Sequence, residues 1–332
     1  MIGPEAESKA SAGFSPRGWV WNHDERFIEA SPRFVGKEVA RAEFGAAPWW
    51  LWWNILSLDA PMVGIAWALV FARCAGVAVT GAEITALGLV VWLIYTVDRL
   101  LDGRTNAMQG DAGAFGSPLR QRHFFHRSHA RAIAWVAAGV GAFTAMLVFT
   151  QIGGQILKLA VPVGVVLVLY MAWVHLGRGR ILAGLPKEVA VGGIFAAGVA
   201  LPAWSRLSAR RWEFFVLAAL FAAVCTLNCL AIEEWERGRD RNLSVAGLRQ
   251  SAMVGFGLGS GKFAAMLAVC ATLLAPVVRL RGEFSAIGAA IAVSAVLILL
   301  LDLMRERISA DALRVLVDVA LLAPALVVLV MR

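Results

Sequence analysis

The sequence predicts an all-α polytopic membrane protein, a bundle of nine transmembrane helices, and three observations predict it. Of the 332 residues, 59% are apolar and only 16% are charged, whereas about a quarter of an ordinary soluble domain is charged. The charges are gathered into short clusters, and the gaps between them approach the ~20 apolar residues a helix needs to cross the hydrocarbon core. Finally, the clusters alternate in basic content along the chain, as membrane loops do. A soluble domain and a predominantly disordered chain are both excluded, because this much apolar surface cannot stay solvated. The net charge of +8 would suggest nucleic acid in a soluble protein. Here the bases sit between apolar runs and suit lipid headgroups and anionic substrates instead.

Residues 1–46 are polar, carry Trp19 and Trp21, lack the apolar core of a signal peptide, and read as a cytoplasmic tail; residues 47–332 read as the bundle. The Trp49, Trp50, Trp52, Trp53 cluster after Pro48 suits headgroup depth, where amphipathic rings anchor a membrane protein. Spans follow at Pro61 to Thr80, Ala82 to Val97, Ala132 to Leu157, Leu159 to Gly177, Val189 to Ser205, Phe214 to Ile232, Phe263 to Val278, Phe284 to Leu301 and Leu313 to Met331. The first, second and last carry charge within or at their ends: Arg73, Asp98, and Arg314 with Asp318. With nine spans, 23 of the 31 Lys and Arg fall on the side of the N-terminal tail and 8 on the other. That puts the N-terminus in the cytoplasm and the C-terminus outside. The four cysteines lie in or beside spans and read as small packing residues, although Cys225 and Cys229 have the i, i+4 spacing of two soft metal ligands.

Charge at the mouth of a membrane bundle is costly, so its positions point to chemistry. Asp98 and Asp102, at the end of the second span, stack on one helix face. Two such carboxylates suit a hard divalent ion such as Mg2+, or else pair with their own neighbours Arg99 and Arg104. Glu233 and Glu236 share a face at the end of the sixth span, on the same predicted side, and are followed by Arg237. Arg122 and Arg127, among His123, His126 and His129, form a basic segment. It fits phosphate oxygens, a positive-inside loop or, through the histidines, a transition metal. Lys187 and Glu188 open the fifth span as a helix-start pair, with Lys187 also in reach of an anionic ligand. Asp59 reads as a helix cap before Pro61, and Asp311, Arg314 and Asp318 as an internal ion-pair face.

Nine spans with acidic clusters at the same-side ends of the second and sixth resemble the UbiA superfamily of intramembrane prenyltransferases, whose two aspartate-rich motifs bind Mg2+ and an isoprenoid diphosphate. The first family motif, NDxxDxxxD, is matched here by Asp98 and Asp102 with Arg99, while Ile94 and Tyr95 stand where Asn and Asp are expected. In the second, Glu233, Glu234 and Glu236 replace aspartates, and Glu236-Arg237 matches its closing Asp-Arg. The resemblance implies a Mg2+ site at Asp98, Asp102, Glu233 and Glu236, with Arg99, Arg122, Arg127, Lys187 and Arg237 on the diphosphate. It implies transfer of a prenyl group from a polyprenyl diphosphate to an aromatic or lipid acceptor in a bacterial inner (plasma) membrane. The residues assign no catalytic group beyond these, and nucleic acid is not an expected partner. The alternatives are a non-catalytic isoprenoid- or lipid-binding protein and a transporter. Both acidic helix ends lie on one predicted side, which an inverted repeat would not produce.

Overall fold

The computed structural model describes residues 19–21, 27–29, 48–108, 125–126, 128–176, 187–207, 212–240, 261–268 and 283–331. It divides into two units, Met1–Pro48 and Trp49–Arg332. In the first, β1 (Trp19–Trp21) and β2 (Phe27–Glu29) form an antiparallel ribbon with Val20 opposite Ile28.

Every regular element among the described residues of the second unit is helical. A 3-10 turn (Trp49–Leu51) runs into α1 (Trp52–Ile55). There follow α2 (Asp59–Cys74), α3 (Gly81–Met108), α4 (Ala130–Gln151), α5 (Gly154–Leu176), α6 (Lys187–Trp204), α7 (Trp212–Asp240), α8 (Glu283–Leu303) and α9 (Ala310–Val330). Among the described residues, seven of these helices are long and apolar enough to cross a membrane, α3 to α9. The 16-residue α2 joins them only together with the turn and α1, from which it bends by 78°. The protein is therefore a polytopic membrane helical bundle. Of the expected seventh span, Phe263 to Val278, residues 263–268 fall in the described helical stretch 261–268, and the rest lies outside the described residues.

Two boundaries differ from the sequence reading. The first long helix begins at Asp59 and not at Pro61, directly after a buried bend at which Ser57 takes a left-handed φ of 59° and breaks the helix. The break expected at Lys158 falls earlier, at Ile152 and Gly153. Ile152 is extended, and Lys158 lies within α5, so the charge marks the first turns of a helix and not the loop.

Lipid is as apolar as leucine, so association of these helices rests on close packing and polar contacts. The core is aromatic where α2, α6 and α7 meet. The Trp67 and Phe221 ring centroids are 4.5 Å apart, and Phe71 lies 5.4 Å from Phe214 and 5.7 Å from Phe221. At Gly192, α6 reaches the backbone of α7 at Ala222 and Thr226. Helix α2 runs parallel to α9: Trp67 Nε1 donates to Leu321 O at 3.0 Å, and Arg73 donates to the carbonyls of Val328, Leu329 and Met331. Those carbonyls end α9 and have no partner within it, so Arg73, a charge inside the first expected span, is satisfied as the cap of another helix. Trp235, near the end of α7, donates to Asp302, near the end of α8, at 2.8 Å, so these two helices also run in the same direction. Helices α4 and α5 are peripheral, with 11% and 0% of their spans buried against 50% for α7.

Candidate functional site

At one end of the bundle the N-terminal ends of α2, α6 and α9 meet the C-terminal portions of α3, α5 and α7 around a polar chamber of about 410 Å³. Each helix turns one stripe toward it: Tyr95, Asp98 and Arg99 on α3; Glu188, Val191, Gly192 and Phe195 on α6; Cys225, Asn228, Cys229, Ile232 and Glu233 on α7; Arg314, Asp318 and Leu321 on α9. These are i, i+3, i+4 and i+7 positions, the spacing that keeps side chains on one helical face. Asp59 completes the wall from α2, and Tyr170 and Val174 from α5.

Most of the chamber's charges are held by one another. Asp98 Oδ1 lies 3.0 Å from His175 Nε2 on α5. Glu233 pairs with Lys187 at 3.2 Å. Arg99 is buried, donates to Asn54 O at 2.7 Å and to Ser57 Oγ at 2.6 Å, and lies 3.9 Å from Asp59 Oδ2. Asn54 Nδ2 donates to Asp59 at 2.6 Å, and Asp59 Oδ1 accepts from its neighbour Ala60 N at 3.0 Å. The Asn54 carbonyl also accepts from Ser57 N at 3.1 Å, so Arg99 is its second donor and ties α3 to the α1–α2 bend. Asn228 Nδ2 donates to Asp318 at 3.3 Å, and the Asp59 carboxyl is within hydrogen-bonding reach of Asp318. Glu188 differs: it is only 2% exposed, and neither of its carboxylate oxygens accepts a hydrogen bond from a described residue.

Behind the chamber lies a second cavity, also about 410 Å³, lined almost entirely by apolar side chains of α3, α4, α5 and α6. Tyr95, Asp98, Tyr170, Val191, Phe195 and Cys229 line both, so the two adjoin across a common wall. The apolar groove reaches Glu83 at its far end. At 1.5 Å per residue of α3, that places its ends about 22 Å apart. Glu83 is buried, pairs with Arg206, and closes a capping box with Thr80: Thr80 N donates to Glu83 Oε2 at 3.0 Å and Glu83 N to Thr80 Oγ1 at 3.2 Å.

The structure thus brings together Asp98, Arg99, Lys187 and Glu233 of the residues expected from sequence. Asp102 lies on α3, and Glu236 and Arg237 on α7, with side chains outside the described residues; Arg122 and Arg127 lie outside them altogether. The expected role of Arg99 is corrected in part: its guanidinium is spent on the α1–α2 bend. Asp98 and Glu233 each face a basic partner, and no group of three or more His, Cys, Asp or Glu among the described residues is placed to hold one metal ion. Of the four expected Mg2+ ligands only Asp98 and Glu233 have described side chains, and those two do not by themselves form a metal site. Of the histidine segment, His123 lies outside the described residues, and His126 and His129 stand in no such group among the described ones. The histidine His175, the inward-facing Glu188, Asn228 and both tyrosines were not singled out by sequence reasoning as site residues. Tyr95 and Tyr170 are the only two tyrosines in the chain, and both border the two cavities, a signal available in the composition. Cys225 and Cys229 are free thiols on the chamber wall.

Comparison of the chain with protein-family models, with curated proteins and with solved structures finds no match.

Proposed function

We propose that this chain is an intramembrane prenyltransferase of the UbiA type, which takes a polyprenyl diphosphate with its tail in the apolar groove and its head at the polar chamber, and passes the prenyl group to an aromatic or lipid acceptor. The observation that carries this reading is the adjoining pair of cavities. An amphiphile needs an apolar sleeve that leads to a place where polar groups converge, and Tyr95, Asp98 and Tyr170 stand at that junction. The Lys187 ammonium and the His175 imidazole are the basic side chains paired with Glu233 and Asp98 there, and both can donate to the oxygens of a departing diphosphate.

Nine crossings belong to the same proposal. That α7 and α8 run in the same direction supports one further crossing between them. A methyl group added at Gly261 would lie 2.7 Å from Asp302, so the helical residues 261–268 begin at the chamber end. That supports a seventh span leading away from the chamber. The excess of Lys and Arg on the loops at this end makes it cytoplasmic, with the N-terminus inside and the C-terminus outside.

The test uses purified protein in nanodiscs with radiolabelled farnesyl or geranylgeranyl diphosphate and aromatic or lipid acceptors, with and without Mg2+. Diphosphate release is expected, with a loss of about 100-fold in Asp98→Asn and in Glu233→Gln. Neither binding nor release by the parent protein would overturn the reading. One arrangement favours the non-catalytic alternative: Asp98 and Glu233 already face His175 and Lys187. Tight binding of the diphosphate with no release under any of these conditions would select it.

The groove itself makes a separate prediction. Gly198 lines it, and a side chain there would enter open space. Gly198→Leu is therefore expected to leave folding unchanged while weakening geranylgeranyl diphosphate by roughly tenfold and leaving the shorter geranyl diphosphate nearly unaffected. Equilibrium binding of the two donors measures it; equal weakening of both would place the tails elsewhere.

A further inference from the structure

Glu188 is the one chamber acid whose two oxygens meet no hydrogen-bond donor among the described residues, although it is almost wholly buried. A carboxylate in that position is costly unless something supplies charge or donors. Its protein surroundings make the need greater. The Glu233 carboxyl stands within hydrogen-bonding reach of it, so the two acids need a shared proton or an external cation between them, while Lys187, the adjacent cation, turns to Glu233 and is largely exposed. Across the chamber, the carboxyls of Asp59, Asp98, Glu188, Glu233 and Asp318 outnumber Arg99, Lys187 and Arg314, the three permanently charged bases that line it.

We propose that Glu188 is the anchoring residue of a binding site for a cationic, N–H-bearing head group, the protonated primary amine of an amphiphile whose chain lies in the adjoining groove. An ammonium brings one positive charge and three donors. Those complement the two open oxygens of Glu188, and the Asn228 carbonyl oxygen, which also accepts no hydrogen bond from a described residue, lies on the same chamber wall. The rings of Tyr95, Tyr170 and Phe195 border the chamber as well and favour a cation at their faces. An anionic head would be repelled by the carboxyls around Glu188, so the amine and a diphosphate head would exclude each other from the chamber, and a neutral hydroxyl would bring a single donor to its two open oxygens. The site goes beyond prenyl transfer and does not depend on it.

The experiment measures binding of radiolabelled dodecylamine to the full chain in phosphatidylcholine nanodiscs, against empty nanodiscs, with dodecanol and dodecyl sulfate as competitors. Saturable binding above the empty discs is expected. Glu188→Gln, nearly isosteric, should weaken it by about tenfold or more, with neither competitor displacing the amine at equal concentration. No binding above empty discs, unchanged affinity in Glu188→Gln, or equal displacement by dodecanol overturns the proposal. An SDS-unfolding midpoint confirms that the variant is folded. Where Glu188→Gln lowers the folded yield, Glu188→Asp retains the charge and withdraws it by one methylene, and weaker amine binding is again the expected result. Diphosphate release measured on the same preparations separates the two readings. Amine binding without release leaves this site standing alone, and release without amine binding removes it alone.

Discussion

Gly192→Ala is expected to unfold or severely loosen the bundle, with a loss of about 3 kcal/mol. The added methyl would collide with the Thr226 hydroxyl and lie 2.7 Å from Thr226 N and 2.8 Å from Ala222 O. The hydroxyl can rotate away, but the two backbone atoms cannot. Relief requires moving α6 away from α7, the most extensively packed helix pair in the bundle. Glycine at such a contact lets two helices approach until their backbones touch, and in a membrane that approach supplies much of the association energy. Gly193 gives an internal control: a methyl there meets nothing within 4 Å, so Gly193→Ala should stay within about 0.5 kcal/mol of the parent. The SDS-unfolding midpoint and the folded yield on size exclusion measure both. Equal behaviour of the two variants would mean that the α6–α7 contact is looser than described. Because Glu188 and Glu233 sit on these two helices, Gly192→Ala should also abolish binding at the chamber.

Arg99→Met is the second large effect, at about 3 kcal/mol. The substitution keeps the apolar stem and removes the guanidinium, so the Asn54 carbonyl and Ser57 hydroxyl at the α1–α2 bend lose a donor, and Asp59 loses its cation. Arg99→Met/Asp59→Asn should recover part of the loss, since it removes the buried carboxylate left behind. Lysine is a poor substitute: its ammonium is a strongly hydrated point charge, whereas the guanidinium is a planar fork of donors. Thermal unfolding of the three variants decides the matter. Full stability in Arg99→Met together with lost diphosphate binding would return Arg99 to the ligand role that the sequence resemblance assigned to it.

The membrane bundle was legible because apolar runs in lipid need no phase information, only length. The site was legible in outline for a related reason: acids at helix ends stand out against an uncharged background, and Asp98, Glu233 and Lys187 do converge. What escaped was which way each acid faces. Glu188 reads as half of a helix-start pair with Lys187, yet the roughly 100° between successive residues of α6 leaves Lys187 exposed beside Glu233 and buries Glu188 in the chamber wall. The stripe Glu188, Val191, Gly192, Phe195 is visible in the sequence, but only the facing stripe Cys225, Asn228, Cys229, Glu233 gives it meaning. Pairings between distant helices, such as Asp98 with His175, carry no local signature at all. The α1–α2 bend was hidden for another reason. Ser57 adopts a backbone conformation that glycine ordinarily supplies, and it is sustained by an arginine more than 40 residues later in the chain.

The latch between Arg73 and the carbonyls of Val328, Leu329 and Met331 bears on how the protein is made. Ribosomes deliver helices in order, and here Arg73 on α2 finds its carbonyl partners on α9. Until α9 is made, that guanidinium has only water, headgroups or insertion machinery to solvate it. The α2–α9 latch therefore closes only after every helix between the two has been synthesised.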